Sequence, residues 1–430
     1  MQKSWIKNLD ELATTPNRKN ALKIVEAGFN AINTEEVVKS KIKFQNNILT
    51  INHEHFDLNK FKNIYVVGFG KSSCDAALAL EEILGSRITK GIVIGLSRVD
   101  CKYIETFAGT HPRPSEVNAL PGKKIYEMLN DSSVDDLVIV LVSGGGSALL
   151  CYPESEWRDG ARLYDAFLES GKTISEINTV RKHLSLLKGG GLAKIAFPAT
   201  VVGLIFSDVP GDIFKDVASG PTYKDETTIS DVNKIILENN LGEFDLIETP
   251  KEDKFFEKVY NFVLVSNKTA VEAMAEKAQE LNFNANIVST NLYDEDEKAI
   301  NKIFSVKKED SVVLAAGEPK IIIMKKGGKG GRNLHMGLEV IKDKMIAKEN
   351  PSDFVFISFA SDGMDNSDVA GAVVDKTTLE KVAKLNLDVD DYLGRFDSYD
   401  FFQKTGDTII TGPTGANVSD LMILLTKNNE

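Results

Sequence analysis

Cysteine is nearly missing from this chain of 430 residues: Cys74, Cys101 and Cys151 are the only three, and no two are spaced as a CxxC pair. So small and scattered a set offers neither a disulfide framework nor a zinc ribbon. Reduced thiols packed as small apolar groups in a cytoplasmic protein are expected. Histidine is scarce too, and His53, His55, His111, His183 and His335 form no HExxH, which removes that type of metal site. The glycine two places after Ser147 that a G-x-S-x-G elbow needs is absent. No apolar run reaches 18 residues, so no transmembrane helix is expected. The first twenty residues carry acids and no apolar signal core. Positive charge is in deficit, with 51 Lys and Arg against 63 Asp and Glu for a net charge of -12. That balance argues against a nucleic-acid or membrane-surface binder but leaves room for a local basic pocket.

What the chain does contain is a recurrent unit: a short apolar run, then a Gly, Ser or Asp turn. It appears as "NIYVVGFGKSS", "LVIVLVSGGGSALL", "ATVVGLIFSDVPGD", "NFVLVSNKTAVEAM", "SVVLAAGEP", "DFVFISFASDGMD" and "DTIITGPTGANVSDL". Helical stretches such as Ala270 to Gln279 lie between some of them. Alternation of this kind predicts an α/β fold with mainly parallel sheets, whose ligands gather at the carboxyl ends of strands. The length predicts two domains. The polar, Pro250-containing stretch 243–258 is the best frontier, giving an N-terminal α/β domain over 1–245 and a C-terminal α/β domain over 255–430. The last segment is a candidate to return to the first domain, and a cleft between the two is expected.

The turns are the candidate chemistry. "VVGFGKSS" fails the dinucleotide fingerprint at Ser73 and the P-loop at Tyr65. Gly68 and Gly70 still permit close backbone approach, and Lys71 adds a positive charge at a helix start; a plain strand-to-helix turn is the competing reading. "GKT" at 171–173 is read as a helix end. Ser143-Gly144-Gly145-Gly146-Ser147 offers free N–H groups and two hydroxyls, a nest for phosphate or carboxylate oxygens, against the alternative of a tight turn under a packed helix. In "NTVRKHLSLLKGGG", Val180, Leu184 and Leu187 mark one apolar helix face. Arg181, Lys182, His183 and Lys188 form a basic group fit for the wall of an anion pocket, although a lone histidine is more often a packed one. Asp208 and Asp212 in "SDVPGD" suit a general base or a magnesium ligand, or simply cap a turn. Lys329 and Arg332 end a glycine-rich basic loop suited to phosphoryl oxygens, or to a surface hairpin. Asp362, Asp365 and Asp368 lack calcium-loop spacing and leave magnesium with nucleotide phosphates as the option.

Taken in order, "VSGGGSALL", "NTVRKHLSLLKGGGLA", "SDVPGD", "ASGPT", "GEPKI…GGKGGRN", "ASDGMD" and "TGPTGANVSDL" resemble the class II glycerate kinases, the glycerate 2-kinase family with a C-terminal MOFRL domain. The resemblance runs from about Val66 to about Leu425. It implies a Rossmann-like first domain, a second α/β domain and an active site in the interdomain cleft. It implies ATP-dependent phosphorylation of D-glycerate at the 2-hydroxyl with Mg2+. The family's catalytic lysine falls on Lys71, its aspartate on Asp208 in preference to Asp212, and its arginine on Arg332. Two departures stand out: Leu334-His335 where the family commonly has Gln-Glu, and Asn366-Ser367-Asp368 where a Gly-Pro-Thr-Asp run is common.

The expected site then assigns glycerate to Ser143, Arg181, Lys182 and His183. It assigns the nucleotide to Gly144, Gly145, Gly146, Ser147, Gly330, Gly331, Asn333, Thr411, Gly412, Thr414 and Gly415, and magnesium to Asp362 and Asp365. The only expected partner is the small substrate, with homo-oligomers left open. An NAD(P)-dependent hydroxypyruvate or glycerate oxidoreductase is one rival, and a non-catalytic sensor of nucleotides or sugar phosphates is the other.

Overall fold

The computed structural model of the chain describes residues 4–170, 174–209, 211, 213–323, 327–346 and 354–427. Asp212 and the Gly171–Thr173 turn lie outside the described residues. Two compact units account for the rest: Thr34–Val265, and Met1–Asn33 together with Ser266–Glu430. The division differs from the sequence expectation at both ends. The stretch before residue 259 leads into a further strand of the first unit's sheet, and the first 33 residues pack with the C-terminal half.

The Thr34–Val265 unit opens with the helix Thr34–Lys41 and an antiparallel meander, β1 (Ile42–Gln45), β2 (Ile48–Ile51) and β3 (Glu54–Asp57). A six-stranded sheet follows, made of β4 (Asn63–Phe69), β5 (Lys90–Gly95), β6 (Ile104–Ala108), β7 (Asp136–Ser143), β8 (Thr200–Phe206) and β9 (Val259–Val265). All its ladders are parallel, in the order β6-β5-β4-β7-β8-β9. This is the doubly wound order, and its direction reverses between β4 and β7, where such sheets open a crevice at their carboxyl ends. Every residue of β7 is buried, as its unbroken apolar run requires of a strand covered on both faces. Val67, Phe69, Ile92, Val140, Val142 and Leu192 belong to one hydrophobic core of this unit. The helix Ile174–Lys182 ends sooner than the apolar spacing suggests. Val180 and Leu184 join a second cluster with Leu163 and Val232, while Leu187 turns into the sheet core.

The other unit has a sheet of β10 (Asn284–Leu292), β11 (Ser311–Gly317), β12 (Phe354–Ala360), β13 (Gly371–Asp375), β14 (Thr408–Ile409) and β15 (Asp420–Thr426), ordered β10-β11-β15-β12-β13-β14. Only β10 and β11 run parallel. The expectation of mainly parallel pairing fails here because β15 returns between β11 and β12 and pairs antiparallel with both. The last strand is thus central to this unit and does not rejoin the first. The helix Pro16–Ala31, capped by Thr15 with Pro16 in its first turn, packs on the helix Asn267–Glu280. Its Arg18 is fully buried, with Nε 2.6 Å from Asp375 Oδ2 and Nη1 2.8 Å from Asp407 Oδ1.

Candidate active site

In the first unit, the turns after β4, β7 and β8 converge on the point where the sheet reverses. Gly70 has φ +127°, and a Cβ there would overlap the Ser143 hydroxyl and carbonyl, so only glycine lets the two turns meet. They are stitched directly: Lys71 N donates to Gly144 O at 2.8 Å, and Ser72 N donates to Ser143 Oγ at 3.1 Å. Ser73 Oγ lies 3.1 Å from the same hydroxyl. Ser143, expected to touch substrate, is 1% exposed and instead holds the turns together.

Asp208, at the end of β8, lies against Gly144, where a Cβ would overlap its carboxylate. A Cβ on Gly145 would stand 3.0 Å from His111 Nε2 and 3.2 Å from Lys71 Cγ, which places both side chains over the nest. The N–H groups of Gly145, Gly146 and Ser147 donate to no described residue, the condition for anion capture. Ser147 Oγ is 2.8 Å from Ser219 Oγ. Behind it Ala218 and Ser219 adopt left-handed backbone, with φ +51° and +61°. Such conformations cost about 1–3 kcal/mol each in non-glycine residues and gather at functional sites.

The basic group divides on inspection. The Arg181 side chain makes no hydrogen bond or ion pair with the described residues, and burial pulls its guanidinium below its ordinary value against the opposing pull of Cys151, Glu156 and Tyr164. A partly desolvated arginine without an anion is a receptor for one. Lys182 is committed to Asp225 at 3.1 Å and Asp216 at 3.6 Å, beside a small cavity that also includes Asn178 and Tyr223. Lys188 is buried against Glu156. His183 is fully buried, its ring nitrogens 3.0 Å from Thr179 O and 3.3 Å from Glu248 Oε1, so it packs rather than lines a pocket. The histidine that does reach the nest is His111. Burial, then Lys71, then Arg181 push its pKa down to about 4, so the ring is neutral at physiological pH. Its sequence neighbourhood, "THPRP", carries no signal beyond an isolated histidine.

In the second unit, the ends of β11 and β12 and the start of β15 meet at one end of these central strands, since Gly317 and Ala360 both pair with Asp420. Arg332 opens the helix Arg332–Ile346 there, with Nε 2.6 Å from Asp420 Oδ2 and Nη2 3.3 Å from Glu318 Oε2. Burial works against its charge, but Asp420, Glu318 and Asp365 outweigh that and hold the guanidinium above its ordinary value. Burial pushes the Asp420 carboxyl up to about 8, opposed by Arg332. Neither Glu318 nor Asp420 was singled out as a functional group in the sequence. The available signal was position: each adjoins a strand end next to a glycine-containing turn.

Asp365, expected to bind magnesium, spends both oxygens on this helix start. Its Oδ1 accepts from Asn333 N at 3.1 Å and Asn333 Nδ2 at 3.0 Å, and its Oδ2 from Leu334 N at 2.8 Å. Asn333 is likewise consumed, donating also to Asp420 Oδ1 and accepting from Ser358 Oγ. Asp362 is half-buried, with Oδ1 accepting from Met364 N at 3.1 Å. Three of the acceptor positions of Asp365 are thus taken by the helix start. Thr411 Oγ1 donates to Gly412 O and Thr414 Oγ1 to Ser361 O, each at 2.7 Å. The first of these hydroxyls closes its own loop, and the second ties that loop to the residue after β12. Gly330 and Gly331 lead directly into the Arg332 helix, while Gly412 and Gly415 have φ of +67° and +74° within the turn before β15.

Comparison with known proteins bears on the same two regions. A family model described as a domain of unknown function, DUF4147, matches residues 20–252, and the MOFRL family model matches residues 311–420. A glycerate 2-kinase of Pyrococcus horikoshii is 35% identical, the match covering 95% of this chain and 97% of that protein. A protein of Agrobacterium vitis named as a putative hydroxypyruvate reductase is 34% identical over 84% of this chain and 86% of its own length. The crystal structure of a glycerate kinase from Thermotoga maritima superposes with a TM-score of 0.81 at 32% identity, covering 95% of this chain and 99% of that one.

Proposed function

The chain belongs to the DUF4147–MOFRL family, and accordingly we propose that it is a glycerate 2-kinase, transferring the terminal phosphoryl group of ATP to the 2-hydroxyl of D-glycerate to give ADP and 2-phospho-D-glycerate. The observation that carries the mechanism is the grouping at the β4–β7 reversal. The carboxylate of Asp208 lies against a nest whose N–H groups donate to no described residue, Lys71 and His111 stand over that nest, and the charge of Arg181 is felt at His111.

In this reading Arg181 holds the glycerate carboxylate. The nest N–H groups and Lys71 hold oxygens of the transferred phosphoryl group. Asp208 accepts the proton of the 2-hydroxyl as oxygen attacks phosphorus and the bond to the ADP oxygen breaks. Neutral His111 orients a bound oxygen by hydrogen bonding without adding charge. Arg332 is assigned to charge on the transferred group, with Glu318 and Asp420 fixing its direction. The loops at 330–331 and 411–415 are assigned to the nucleotide through their backbone. Mg2+ carried with the nucleotide would neutralise phosphate charge, and Asp362 and Asp365 are the carboxylates of this chain that would hold it.

The test is incubation with ATP, Mg2+ and D-glycerate followed by phosphorus NMR. A 2-phosphoglycerate resonance is expected, and 3-phosphoglycerate or no transfer overturns the assignment. The Agrobacterium name keeps one rival in view, so nicotinamide absorbance is followed in parallel with hydroxypyruvate. No oxidation is expected, because Ser73 stands where the dinucleotide fingerprint needs its last glycine.

A further inference from the structure

Three potential ligands converge where the helix Arg332–Ile346 packs on the helix Asp296–Phe304. His335 Nε2 is 3.5 Å from Asp296 Oδ2 and 3.8 Å from Glu339 Oε1, and the three donor atoms all lie within 4.8 Å of one another. Helical periodicity aligns His335 and Glu339, four residues apart on one face. Asp296 begins the facing helix, where its Oδ1 accepts from Glu297 N at 2.9 Å while Oδ2 faces the ring. His335 is only 7% exposed, and its ring lies nearly parallel to Phe396 at 5.5 Å, which sets its plane.

Its side chain makes no hydrogen bond with the described residues, and neither carboxylate is paired there with a lysine or arginine. A buried imidazole thus faces two carboxylates with no proton bridge formed to either. The spacing matches another purpose: ligands about 2.0–2.1 Å from a tetrahedral ion stand roughly 3.4 Å apart. One nitrogen and two carboxylate oxygens suit the borderline first-row divalent ions better than calcium or magnesium.

We propose that Asp296, His335 and Glu339 bind a divalent cation of the zinc and cobalt class, with a water completing the shell. The ion ties the first turns of the helix that carries Arg332 to its neighbour. The site is separate from Arg332's own carboxylates, Glu318 and Asp420.

The experiment uses the full chain, stripped by chelator and titrated with Co2+ in the absence of nucleotide. A single site per chain with the visible absorption of tetrahedral cobalt is expected, together with a thermal midpoint that rises with cobalt concentration. His335→Gln should abolish the band and weaken binding by about tenfold or more. Glu339→Gln should do the same, each variant being checked for native circular dichroism. No band in the parent chain, or a band retained in both folded variants, overturns the site.

Discussion

Lys71 and Arg332 are both cations at turns, but their surroundings differ. Lys71 stands over an anion nest with Asp208 across it, whereas Arg332 is braced by Asp420 and Glu318. Replacing either by alanine should lower kcat on the order of a thousandfold with native circular dichroism retained, as steady-state kinetics and spectroscopy would show. Asp420 gives a pH-dependent counterpart. Its folded pKa of about 8 exceeds the ordinary 3.8, so between those values the unfolded chain is the more deprotonated state and stability falls as pH rises. Asp420→Asn removes that decline. Its stability relative to the parent should grow from about pH 4 towards pH 8 and level off above, measured by urea titration across pH. Residue type and turn position announced Lys71, Asp208 and Arg332 in the sequence, but not Glu318 or Asp420. They did not announce which polar groups are spent internally, because Ser143, His183, Asn333 and Asp365 take their partners from distant segments.

Strands and turns were the most legible level. Runs such as Leu137–Val142 are buried on both faces as their composition demands, and the glycine turns do fall at carboxyl ends. Strand direction was not legible in the second unit: an apolar run reads alike in parallel and antiparallel ladders, and β15 is antiparallel to both neighbours. The helix end at Lys182 was also hidden, since the apolar spacing continues through Leu184 and Leu187 into different clusters. A contrast between two glycines tests the turn geometry. Gly70→Ala meets Ser143 at an unfavourable φ and should lose more than about 1 kcal/mol of stability along with most activity. Gly394→Ala, with open space around it, should change stability by no more than about 1 kcal/mol and leave kcat unaltered. Paired urea titrations and rate measurements decide both.

For the whole molecule, the sequence showed two α/β bodies but not their discontinuity, because the helix Pro16–Ala31 carries nothing that names its partner 250 residues away. The link is Arg18, buried between Asp375 and Asp407 with Thr378 beside it. Truncating one member of a buried ionic group leaves the others uncompensated, at a cost of about 3–5 kcal/mol. Arg18→Ala should therefore lower the unfolding midpoint of the unit that contains the MOFRL region, followed by hydrogen exchange at β12, β13 and β15. The same arrangement sets an order of events on the ribosome. The helix Pro16–Ala31 emerges ahead of the Thr34–Val265 unit, yet its partners follow only after that entire unit has been made. At ordinary translation speeds that is a wait of roughly ten to fifty seconds. During it the amphipathic opening segment has no native neighbour, while the unit that follows it is free to fold first.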